Sequence, residues 1–175
     1  MHYKTFIPIT RMHDGSIQAA SEMWAEKYSQ HITHACTLSI YQPKNKHEDY
    51  IEKIWRQWSD FCKYLNRLIY GHAGKRGKKS LVIIPVLHGQ ASYTDLHFHV
   101  GIGCIDRNYT YAELSALINK AWRHVTWTKN RTNIQPYIDA GWNNYIYKES
   151  IWLDLQAGDI AHSSIPPILT AEVLS

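Results

Sequence analysis

Three histidines near the middle of the chain have the types and spacing of a metal site. His97 and His99 stand two apart in the apolar stretch "LHFHVGIG". In a strand both project from one face, while Leu96, Phe98 and Val100 supply the other, core-facing side. Same-face neighbours lie roughly 6.5–7 Å apart at the backbone, a span that two imidazoles can bridge to hold one divalent ion. His88 closes the preceding apolar run, and a register setting it opposite His97 or His99 brings a third imidazole to that face. Three imidazoles with open coordination positions suit zinc, manganese or iron, whereas magnesium prefers oxygen donors. The plainer reading is that each histidine is simply hydrogen-bonded.

A second constellation lies in "GWNNYIYKES". Tyr145 and Lys148 are three apart and share a helix face, with Tyr147 pointing roughly the other way. A phenol is a poor nucleophile at neutral pH, and a cation one turn away favours phenolate or steadies a phosphate. Such a pair also arises by chance in many helices. A third feature is "GHAGKRGKKS", where Lys75, Arg76, Lys78 and Lys79 stand among glycines; this reads as a mobile exposed loop, either a solvated turn or a phosphate contact.

These residues need a sheet and helices to position them. "HITHACTLSIYQ" is β-branched and aromatic and stops at Pro43, which predicts a first strand. Between His47 and Tyr70 apolar residues recur at three and four from Ile51 to Ile69, predicting an amphipathic helix that ends at Gly71. "SLVIIPVLH" and "LHFHVGIGCI" predict two adjacent antiparallel strands, and their run-like character places both centrally in a sheet. "TYAELSALINKAWRHV" opens with a Thr110 to Glu113 capping box and continues as a helix. "TWTKNRTNIQPYI" predicts a last strand, and residues 142–152 a last helix. The fold class expected is α+β, a central antiparallel sheet flanked by helices. Residues 1–30 read as an N-terminal extension, with "KTFIPIT" extended and a helix capped at Ser16 or Ser21. Residues 31–154 read as the main domain, and 155–175 as an irregular tail or linker.

At 175 residues and 45% apolar, the chain suits one domain with a real core. A net charge of +4 with eleven histidines tilts the surface toward anionic partners. Cys36, Cys62 and Cys104 are far apart and odd in number, so neither a disulfide framework nor a zinc ribbon is implied. No apolar leader and no run of about 20 apolar residues is present, so an intracellular chain without a membrane span is expected, cytoplasmic or, in a eukaryotic host, nuclear.

A strand bearing His-hydrophobe-His, then a helix, then Tyr-x-x-Lys resembles the HUH single-strand endonucleases, a superfamily of rolling-circle replication initiators, conjugative relaxases and single-strand transposases. The matching residues are "LHFHV" and "YIYK", with "HACTLSI" in the place of the family's opening motif; the likeness spans roughly residues 33–150. The resemblance implies that His97 and His99 bind a divalent ion, magnesium or manganese with zinc a substitute in vitro. It also implies that Tyr145 attacks the scissile phosphate to give a 5′-phosphotyrosyl link and a free 3′-hydroxyl, with Lys148 beside it. The substrate implied is single-stranded DNA, at a hairpin or an origin. Many replication initiators carry a glutamate where this chain has His88, which instead fits a three-histidine site as in relaxases. Gly141 stands four residues before Tyr145, so this resembles a one-tyrosine enzyme. No GxxxxGK[ST] loop occurs, and unwinding would fall to a separate helicase.

Other readings differ in class. A histidine-triad nucleotide hydrolase needs a third alternating histidine, and position 101 is Gly. A single-stranded DNA-binding module that has lost chemistry, or a noncatalytic metal-binding protein, would keep the histidines without using Tyr145.

Overall fold

The computed structural model describes residues 23, 26–41, 49–89, 96–125, 128–138 and 162–171. Residues 26–29 are helical. They lead into strand β1 (His34–Ile40), helix α1 (Tyr50–Tyr70), the short helix α2 (His72–Lys75), strands β2 (Val82–His88) and β3 (His97–Gly103), helix α3 (Tyr111–His124), strand β4 (Thr128–Pro136) and the short helix α4 (Pro167–Ala171). The expected helix over 142–152, the segment "KTFIPIT" and the caps at Ser16 and Ser21 lie outside the described residues.

The fold is α+β: one four-stranded sheet, antiparallel throughout, in the order β2-β3-β1-β4 and flanked by helices. Each long helix joins two parallel strands with a third strand between them, the split βαβ arrangement. Because crossovers of this kind share one hand, α1 and α3 fall on the same face. The period of α1 buries Ile54, Trp58, Phe61, Leu65 and Ile69. α3 starts at the Thr110–Glu113 capping box, in which each residue's side chain bonds the other's backbone N–H, and buries Leu114, Ile118, Ala121 and Trp122. These residues pack on Leu38, Ile83, Leu87, Phe98, Val100 and Ile102 to form the main core.

The opposite face, which carries neither long helix and is called helix-free in that sense, is covered at one end by described residues. There Tyr28, Ile32 and Leu169 pack on Val82, Ile84 and Val86. Glycines on β3 permit this approach: a Cβ on Gly101 would come within 2.6 Å of Ile32 Cδ1, and one on Gly103 would overlap the His31 carbonyl oxygen. The Thr33 N–H then donates to the Ile102 carbonyl at 3.0 Å.

β2 is an edge strand, not the central one its unbroken apolar run predicts. The run has another cause: residues 162–171 wrap around this edge. The Trp58 indole N–H donates to the His162 carbonyl at 2.9 Å, and the His162 ring stacks on Trp55 at 4.1 Å on the helical side. Ser164 exchanges both backbone hydrogen bonds with Ile83, and Leu169 reaches the other face. β2 is therefore buried on both faces although only one strand pairs with it. Alternation turns the backbone of Pro85 to the same outer side as Ile83, so its missing N–H costs the ladder with β3 nothing.

Candidate metal centre

The register of the β2–β3 pair sets His88 directly opposite His97, and His99 between Val86 and Thr37. All three imidazoles project from the helix-free face, as the i, i+2 spacing requires, at the end away from the glycine-packed segment. Ring centroids are 5.5 Å apart for His88 and His97, 4.6 Å for His88 and His99, and 4.7 Å for His97 and His99. One ligand nitrogen from each lies within 4.8 Å of the others. His88 and His99 are buried, while His97 is half-buried and opens the cluster to solvent.

The donor set fits a transition-metal ion. His97 Nε2 and His99 Nε2 are 3.1 Å apart. Two nitrogens bound to one ion at about 2.0–2.1 Å stand about 2.8–3.4 Å apart for bond angles between octahedral and tetrahedral. His99 Nδ1 faces the Thr37 hydroxyl at 3.2 Å. When Nδ1–H donates to that oxygen, the Nε2 lone pair is left free toward His97, the outer arrangement that orients metal-binding histidines. Burial, reinforced by His88 and His97 alongside, pushes the His99 imidazole down to about 3. It is thus neutral, the form a ligand must take. His88, His97 and His99 can together hold a metal ion, and nitrogen donors alone do not select among zinc, manganese and iron.

The other anticipated residues are placed differently. Lys75 sits on α2, and Arg76 and Lys78 are exposed beyond it. Lys79 is engaged with Asp106 at 2.6 Å, a carboxylate that also accepts the Tyr70 hydroxyl proton at 2.8 Å. This basic segment is therefore partly a helical turn rather than a loop throughout, and it precedes the start of β2. Six residues of strand, about 20 Å, separate that end from His88. Tyr145 and Lys148 lie outside the described residues. His34 is a structural histidine: Nε2–H donates to the Tyr111 carbonyl at 3.1 Å, Nδ1 meets the Thr33 hydroxyl at 2.8 Å, and the ring stacks on Tyr111.

Two residues near the cluster were not evident in the sequence. Thr37 becomes visible only once β1 is paired with β3 in register. Arg131 is exposed on β4, beside the register shift that β4 makes against β1 between Leu38 and Ile40. It lies two strand spacings, about 10 Å, from β3. No protein family, no curated protein and no solved structure matches the chain.

Proposed function

We propose that the protein is a metal-dependent endonuclease that nicks single-stranded DNA through a tyrosine nucleophile, as its resemblance to HUH enzymes implies. The observation that carries this reading is the convergence of His88, His97 and His99 on the helix-free face, with His97 open to solvent. A bound divalent ion would supply Lewis-acid polarisation of the scissile phosphate.

The chain's own residues have the remaining work. The Tyr145 oxygen, having lost its proton, attacks phosphorus; the bond to the 3′ oxygen breaks, and that oxygen takes up a proton. Lys148, one helical turn away, favours the phenolate or steadies the phosphate. DNA would come as an already exposed strand, at a hairpin or an origin opened by a separate helicase, and replication initiation or transposition of a mobile element is the biological setting this chemistry serves.

The test is to incubate the protein with manganese and a pool of single-stranded DNA, including DNA flanking its own gene, and to look for a covalent adduct by denaturing gel and mass spectrometry. A metal-dependent adduct on Tyr145, lost in Tyr145→Phe, His97→Ala and His99→Ala, is the expected result. DNA binding without an adduct from any pool would overturn the endonuclease reading and leave a binding module on the same fold.

A further inference from the structure

A second site lies on the other side of the sheet. α1, α2 and the end of α3 enclose a cleft of about 500 Å³, lined by Asp60, Lys63, Tyr64, Arg67, Lys75 and His124 among others. This is the size range of small-molecule sites and more room than a lone phosphate ion needs. Its walls have two chemistries. Tyr64 from α1 and His124 from α3 stack at 3.7 Å with their planes 11° apart, a two-ring column that a third flat ring can extend. Lys63 and Arg67, one turn apart on α1, and Lys75 from α2 bring three cations against the single carboxylate of Asp60, which sits 3.5 Å from Lys63 at the exposed rim.

The two chemistries are spatially sorted. The rings face each other between α1 and α3, and the cations Lys63, Arg67 and Lys75 stand along α1 and α2, where an anion belongs. Gly74 allows this closeness, because a Cβ there would overlap the Asn66 carbonyl oxygen of α1. A ligand with a flat ring at one end and a phosphate at the other matches both walls.

We infer that this cleft binds a nucleotide unit, with its base against the Tyr64–His124 pair and its phosphate among Lys63, Arg67 and Lys75. The unit comes either as a free nucleoside monophosphate or as one residue of a single DNA strand. The sheet and its helical layer stand between the cleft and the histidines, so occupancy here needs neither the metal nor the nuclease reading.

Calorimetric titration of the full-length protein with deoxyadenosine monophosphate, deoxyribose phosphate and a ten-residue oligodeoxyadenylate tests it. The nucleotide or the oligonucleotide should bind about tenfold more tightly than the sugar phosphate, which lacks a base to stack. The Arg67→Glu/Lys75→Glu variant should weaken that binding about tenfold or more while lowering the thermal melt by no more than about 4 °C, since both side chains are exposed and the cost is that of a carboxylate near the end of α1. His97→Ala should bind as the wild type does. A mononucleotide binding as tightly as the oligomer assigns a free nucleotide, and a clear preference for the oligomer assigns a strand; either supports the site. No binding, equal binding of the sugar phosphate, or charge-reversed affinity within about twofold of wild type would overturn it.

Discussion

Metal binding at the histidine cluster should appear first as stability. An ion that binds the folded chain at one hundred times its dissociation constant stabilises it by about 2.7 kcal/mol. For a chain of 175 residues, that corresponds to a rise in Tm of about 5–11 °C. Thr37→Val removes the hydroxyl 3.2 Å from His99 Nδ1 and leaves the three ligands in place. Losing such an outer partner typically costs 10–100-fold in affinity, which at the same metal concentration leaves about 0.4–1.4 kcal/mol and a rise of about 1–6 °C. His88→Ala removes a ligand itself and should leave less than Thr37→Val does. The assay is thermal unfolding of chelator-treated protein with and without zinc, repeated with manganese because unfolded histidines also bind zinc. Each variant is compared with its own metal-free melt, so loss of packing at the buried His88 does not enter the difference. If the 3.1 Å approach of His97 and His99 is only a hydrogen bond between the two rings, the wild type shows no metal shift. A His88→Ala protein with the full wild-type shift would refute the three-histidine site.

Two further outcomes test the frame around the site. Gly103→Ala should destabilise by more than about 3 kcal/mol, because the new methyl overlaps backbone that cannot rotate away. Gly101→Ala meets only the tip of the Ile32 side chain and should cost about 1–3 kcal/mol; urea unfolding that ranks the two in reverse would contradict the packing of residues 31–32 on β3. The second concerns acid. Burial holds the His34 imidazole below its ordinary range, opposed in part by the hydrogen bond to Tyr111. The unfolded chain therefore binds a proton at this position more readily than the folded one, so stability is full above the unfolded value of about 6.5 and declines as pH falls through it. His34→Gln should flatten the stability profile between about pH 7 and 5 by up to about 1.4 kcal/mol per pH unit, and an unchanged slope would show that His34 does not carry it.

The fold class and the histidine face were legible because both rest on short periods. The recurrence at three and four in α1, the capping box of α3 and the i, i+2 spacing of His97 and His99 are local signals, and the third ligand followed once two apolar runs were paired. What stayed hidden depended on long-range cover. The apolar run of β2 has the same composition whether a second strand or a wrapped segment lies beside it, and nothing local to residues 162–171 states that they bond Ile83 and Trp58. Thr37 and Arg131 were illegible for the same reason, since their relation to the histidines runs across strands. The basic segment was visible as charge, but its distance from His88 is a property of strand direction.

Alternation along β3 carries a further consequence for the site. Its helix-free face reads His97, His99, Gly101, Gly103 in order, two ligand-type side chains followed by two positions with none. The glycines let residues 28–32 close against the sheet, and the histidines begin where that cover stops. His99 thus has apolar neighbours on one side, which keep it neutral, while His97 on the other side remains open. A catalytic metal site needs both conditions at once: dry enough that the imidazoles do not take protons in place of the ion, and open enough for a substrate to reach the free coordination positions. A strand of uniform residues could provide only one of them. The change from histidine to glycine within "HFHVGIG" sets that boundary.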